Sequence, residues 1–287
     1  MSRKVAFITG ASRGIGKAAA FALAKKGYDI VITARTMEEG EQHEHGTDGS
    51  NVRAISGSLA TTAKEIEALG QRALPIRLDL LDTDSIHRAV DQTLTEWGHI
   101  DLLLNNGIYQ GPGTMNFVLD INQADIQKLY QGNVFSQLLL VQRCLPSMLE
   151  RNSGCIINMV SKSGMIDPPA PSGKGGWGFA YSSSKAAFIR MVGMLRVEHK
   201  SSNVRFHNVE PGFIITEMMR EQGMVDEFAA KYGGAPPEVP AAVIAWLATE
   251  PGAQEFHGET LFAQQHCLKL NLVPEWQPKG GKQIDQR

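Results

Sequence analysis

The chain has 287 residues, 43% of them hydrophobic, with 28 Lys and Arg against 30 Asp and Glu for a formal net charge of −2. That balance gives no electrostatic reason to expect a nucleic-acid or anionic-membrane partner. No apolar run approaches the ~20 residues a spanning helix needs, and the length suffices for one large core.

Val5–Thr9 (VAFIT) reads as a buried strand, followed by Gly10-x-x-x-Gly14-x-Gly16 and a helix over Ile15–Lys26 that Gly27 closes. Glycines between a first strand and a helix let the backbone turn tightly and let a pyrophosphate approach, while the helix N-terminus favours its negative charge. Asp29–Ala34 (DIVITA) is a second strand, and the polar stretch at 36–59 reads as an inserted loop. Its His43 and His45 lack a Cys or carboxylate frame and read as solvated rather than metal-binding. Ala60–Leu69 is helical, Ala73–Leu78 a third strand, Asp84–Trp97 a helix, and Ile100–Leu104 a fourth strand stopped by Asn105-Asn106-Gly107. One long helix is predicted over Gln123–Glu150. Cys155–Val160 is a fifth strand, and a Pro/Gly loop occupies 164–178. Tyr181–Glu198 is a helix, Val204–Val209 a sixth strand, Ala241–Ala248 a helix and Thr260–Ala263 a last short strand.

Short apolar strands alternating with helices predict a single doubly wound α/β domain of the Rossmann type, a parallel sheet flanked by helices over 1–265. Its ligand crevice would lie beyond the carboxyl ends of the strands. Residues 266–287 read as a C-terminal tail. Cys144, Cys155 and Cys267 show no C-x-x-C spacing, and no leader-like segment precedes Val5. These features predict reduced thiols in a cytoplasmic protein, with no metal.

Tyr181-Ser182-Ser183-Ser184-Lys185 carries the chemistry. On a helix, residues at i and i+4 share a face. A phenol with its ordinary pKa of about 10 needs a nearby ammonium to work as an acid or base at neutral pH.

Together, Thr9-Gly10-Ala11-Ser12-Arg13-Gly14-Ile15-Gly16 and Tyr181-x-x-x-Lys185 closely resemble the short-chain dehydrogenase/reductase family, over Lys4 to Gly258. The resemblance implies a doubly wound fold, NAD or NADP, and interconversion of alcohols and carbonyls. It implies that Gly10, Ser12, Arg13, Gly14, Ile15 and Gly16 hold the diphosphate, that Asp79 and Leu80 contact adenine, and that Asn106 lies near the cofactor, although Asn-Asn-Gly-Ile here replaces the family's N-N-A-G. Pro211, Gly212, Ile214 and Thr216 match its P-G-x-x-x-T stretch, which holds the nicotinamide. Tyr181 is the implied general acid/base, and Lys185 bonds the nicotinamide ribose. Ser161 (or else Ser163) holds the substrate oxygen, and Asn133 anchors a relay water.

The second strand ends Thr33-Ala34-Arg35-Thr36 without a carboxylate, so Arg35 and Arg13 point to the 2′-phosphate of NADP(H), with NAD(H) the alternative. The stretch between Ser161 and Tyr181 is longer than is usual in the family. Met165, Trp177, Phe179, Met218 and Met219 are therefore expected to form an apolar pocket for a carbonyl or alcohol, with a helix over Gln222–Tyr232 at the lid position. The family habit implies a homodimer or homotetramer. Two other readings stay open: an enoyl reductase, for which the Tyr–Lys spacing is wider in this family, and a dinucleotide-sensing protein without turnover.

Overall fold

A computed structural model describes residues 3–47, 51–221 and 234–278; the helix expected over Gln222–Tyr232 lies outside them. Seven parallel strands form one sheet: β1 (Val5–Thr9), β2 (Asp29–Ala34), β5 (Ala73–Arg77), β6 (Leu102–Asn105), β7 (Gly154–Met159), β8 (Val204–Glu210) and β9 (Thr260–Phe262). Their order is β5-β2-β1-β6-β7-β8-β9, so the strand order reverses between β1 and β6 while all strands stay parallel. This is the doubly wound, Rossmann-type fold, and its switch point opens at the carboxyl ends of those two strands.

Both faces are covered because the strands are apolar on both sides. In β1, Ala6 and Ile8 pack with α1 (Gly14–Lys25), α2 (Leu59–Ala68) and α8 (Glu238–Thr249) on one face. Val5 and Phe7 pack with α3 (Thr83–Trp97), α5 (Ser136–Glu150) and α6 (Phe179–Glu198) on the other. Every residue of β1 is buried, as a central strand of a parallel sheet requires. No described helix is long and apolar enough to cross a membrane.

Three segments differ from the sequence expectations. Within the insert at 36–59, β3 (Gln42–His45) pairs antiparallel with β4 (Asn51–Ala54) as a hairpin, Gln42 opposite Ala54. The helix expected over Gln123–Glu150 is two helices, α4 (Gln123–Tyr130) and α5, joined by a π-turn at Gln131–Phe135. The tail expected from 266 is folded well beyond that point. Helix α9 (Ala263–Leu270) buries His266 and Cys267, and Trp276 reaches the core at 8% exposure. The indole and the apolar residues of α9 cover the face around α8, so this segment belongs to the domain.

Candidate active site

The turn after β1 is built around close backbone approaches. A Cβ at Gly16 would run into the Gly10 carbonyl oxygen, and Gly14 sits at φ +56°, a conformation that favours glycine. Thr9 and Asn106 lock this turn to β6. The Thr9 hydroxyl accepts the N–H groups of Asn106 and Gly107 at 3.0 and 2.8 Å, and Asn106 Nδ2 donates to the carbonyls of Thr9 and Gly10 at 2.8 and 3.2 Å. Asn106 thus holds the glycine turn in shape as well as lining the space beside it.

That space is a cavity of about 300 Å³ at the switch point. Its walls unite Gly10, Ser12, Arg13, Gly14, Ile15, Arg35, Asp79, Leu80, Asn106 and Thr216. Of the other residues expected to bind a dinucleotide, Gly16 packs behind the turn, while Pro211, Gly212 and Ile214 form the loop that leads to Thr216. Asp79 Oδ1 accepts the N–H of Leu81 at 2.9 Å, which fixes the carboxylate at the rim. The walls also include Glu44, Gly46, Tyr109 and Met218, which sequence reasoning did not assign to the cofactor.

A diphosphate fits this turn chemically, because the turn already binds an anion. Arg13, at the N-cap of α1, gives no side-chain cap, and Glu217 Oε2 accepts the Gly14 N–H at 3.0 Å. A carboxylate therefore sits where a phosphate oxygen would find its first helix amide. Glu217 opens α7 (Glu217–Glu221), and Glu221 at its other end accepts the Ser56 hydroxyl at 2.6 Å.

The two guanidiniums do not form the matched clamp that the sequence suggests. Arg13 Nε donates to Ser56 O at 2.9 Å, and its Nη2 donates to Ile55 O and Gly57 O at 2.9 and 2.6 Å. These bonds tie the loop after the hairpin to the glycine turn. Arg35 makes one contact with the hairpin, Nη2 to Glu44 O at 3.3 Å, and its exposed head faces the cavity.

The residues expected to carry the chemistry lie along the same carboxyl edge, after β7 and on the helix that follows it. Ser161 follows β7, and its side chain lies beside the Tyr181 phenol and interacts with it. Ser163, the alternate, is buried and donates its own hydroxyl to Ser161 Oγ at 3.0 Å, so it supports Ser161. Lys185 lies one helical turn after Tyr181 on α6, is 3% exposed, and donates to the Met159 carbonyl at 2.9 Å. Burial holds its ammonium down to about 8. The phenol departs from the sequence expectation. Burial raises its pKa, the Ser161 bond works against that rise, and the nearby carboxylate of Glu210 adds to it. Lys185 is directed at β7, so the acidified phenol inferred from Y-x-x-x-K is not what the protein alone provides.

Asn133 sits in the π-turn, 2% exposed. Its Oδ1 accepts the Tyr109 N–H at 2.8 Å and its Nδ2 donates to Tyr109 O at 3.1 Å, which positions the cavity-lining Tyr109. Such single π-turns concentrate at functional sites. Among the described residues, no cluster of His, Cys, Asp and Glu could hold a metal.

The model of the short chain dehydrogenase family matches residues 4–57 and 42–225. A 3-oxoacyl-[acyl-carrier-protein] reductase from Synechocystis sp. is 30% identical over 264 residues, covering 91% of this chain and 95% of that protein. The crystal structure of a short-chain type dehydrogenase/reductase from Mycobacterium marinum superimposes with a TM-score of 0.74 at 27% identity, covering 92% of this chain and 96% of that one. L-sorbose reductase from Gluconobacter frateurii, solved with NADPH and L-sorbose, gives 0.72 at 25% identity, covering 91% and 95%.

Proposed function

This chain belongs to the short-chain dehydrogenase/reductase family and is an NAD(P)-dependent oxidoreductase of CH–OH or carbonyl groups; from that premise we propose that it uses NADP(H) and that Tyr181 is its general acid and base. The observation that carries the proposal is the Ser161 side chain beside the Tyr181 phenol, with buried Lys185 one turn away, on the edge of the sheet where the glycine turn opens.

Bound nicotinamide supplies or accepts the hydride. The chain's own residues handle binding and the proton. Gly14 and its neighbours offer amides to the diphosphate, with Glu217 moving aside, and Arg35 meets the 2′-phosphate through charge-assisted bonds. Ser161 donates to the substrate oxygen while the Tyr181 phenol delivers a proton to that oxygen in reduction or takes one in oxidation. Lys185, held down to about 8 and bonded to the Met159 carbonyl, would bond the nicotinamide ribose of a bound cofactor and bring its charge to bear on the phenol. Asn133 keeps the wall at Tyr109 in register and anchors the relay water.

The substrate is a small-to-medium, mainly apolar carbonyl compound or alcohol. Met165 and Trp177 are half-buried in the loop between Ser161 and Tyr181, and the Ser172 hydroxyl pins that loop to Met115 O at 2.6 Å. Ile166, Phe179, Phe117 and Leu119 are exposed on the same two segments. An acyl-carrier-protein thioester and a ketose, the compounds named for the two relatives above, belong in the same test as simple ketones. Following NADPH consumption against such a panel, with NADH in parallel, is expected to show turnover of apolar ketones and a preference for NADPH. Absence of turnover with every carbonyl, despite tight NADPH binding, would leave a dinucleotide-sensing role instead.

Phe135 at the end of the π-turn, Leu138 on α5, and Met194 and Val197 on α6 are exposed on one side of the sheet and support a homo-oligomer built through these helices. Three free, buried thiols support a cytoplasmic location.

A further inference from the structure

Glu210 is the last residue of β8, immediately before Pro211, and it is 8% exposed. A buried carboxylate needs partners, and those of Glu210 come from two different loops. Its Oε2 accepts the Gly212 N–H at 3.0 Å, and its Oε1 accepts the Lys162 N–H at 3.4 Å. Lys162 follows Ser161, and Gly212 opens the turn that leads to Ile214 and Thr216. One side chain therefore straps the loop carrying Ser161 to the loop assigned to the nicotinamide. Both oxygens accept and neither donates, an arrangement that suits the ionised form.

We propose that Glu210 is a positioning residue: it holds Ser161 against the turn after β8 and places a buried negative charge beside the Tyr181 phenol. This rests on the reading of Tyr181 as the general acid. A negative charge beside a phenol disfavours phenolate, so it keeps the proton on Tyr181, the form that reduces a carbonyl. The groups facing this carboxylate are few. Burial raises its pKa, and the N–H groups of Gly212 and Lys162 with the Lys162 ammonium work against that shift, leaving a net rise. Tyr181 approaches from α6, and Lys185 on the same helix is turned to Met159 O. Phe262, its register partner on β9, brings no charge.

The test is the pH dependence of carbonyl reduction in Glu210→Gln and Glu210→Asp, each with an NADPH titration. In the parent the rate falls as Tyr181 loses its proton. Glu210→Gln removes the charge, so that limb is expected to move to lower pH by about one unit, the NADPH titration showing that the nucleotide still binds. Glu210→Asp keeps the charge on a shorter arm; its limb stays at the parent position while kcat falls. A parent-like limb in folded Glu210→Gln overturns the proposal. Should Glu210→Gln not fold, a displaced limb or an unchanged kcat in Glu210→Asp overturns it equally. Tyr181→Phe separates the two levels. If that variant stays active, the reading of Tyr181 fails; if it is inactive and the limb of Glu210→Gln is unmoved, only the role of Glu210 fails.

Discussion

Arg13 directs Nε and Nη2 at the carbonyls of Ile55, Ser56 and Gly57, whereas Arg35 has one such contact and faces the cavity. Their removal should therefore read out differently. Arg35→Ala is expected to weaken NADPH by about tenfold while leaving NADH nearly unchanged, the loss of one or two charge-assisted hydrogen bonds. Arg13→Ala leaves carbonyls without donors and frees the arm behind the hairpin, so it should cost about 1–3 kcal/mol of stability, read as a lower Tm, and weaken both nucleotides alike. Paired titrations by protein fluorescence, with thermal melts, decide between these patterns. From the sequence, both arginines carry the same signal: a cation near the end of a second strand or in a glycine turn. What separates them is which carbonyls lie within reach, and that depends on the hairpin. Glu210 was equally hidden, since a lone acidic residue before Pro-Gly gives no hint that its carboxylate is buried between two loops.

At the scale of elements, the short helix α7 touches the glycine turn after β1. Glu217 on the Gly14 amide and Glu221 on Ser56 latch it across the glycine turn. A diphosphate must displace the first of these carboxylates and would be repelled by it. Glu217→Gln is accordingly expected to tighten NADPH binding by about threefold to tenfold, since a neutral amide competes less well for a helix N-terminus. Weaker binding in that variant, measured by isothermal titration, would show instead that Glu217 supports the bound state. Elements defined by periodicity and glycine stops, such as β1, α1 and β6, fall within one or two residues of the sequence reading. The π-turn at Gln131–Phe135 does not, because one extra residue in a helical ladder leaves the pattern of apolar positions almost unchanged. The β3–β4 hairpin escaped for the opposite reason. Gln42, His43 and Glu44 carry no apolar alternation, so nothing marks a buried face.

For the whole molecule, the doubly wound order follows from strands buried on both faces and from helices between them. The run to Trp276 completes the face around α8. The apolar side chains left outside on α5 and α6 carry the assembly prediction. Val197, 69% exposed, is a fair probe: Val197→Glu should shift sedimentation toward the monomer without loss of secondary structure, and an unchanged assembly would move the interface elsewhere. The account as a whole turns on the phenol that Ser161 holds at the edge of this sheet. The most direct measurement is steady-state carbonyl reduction by Tyr181→Phe beside an NADPH titration of the same variant. Turnover should fall by about 10²–10⁴-fold with NADPH affinity retained, whereas parent-like turnover would show that the proton comes from another group.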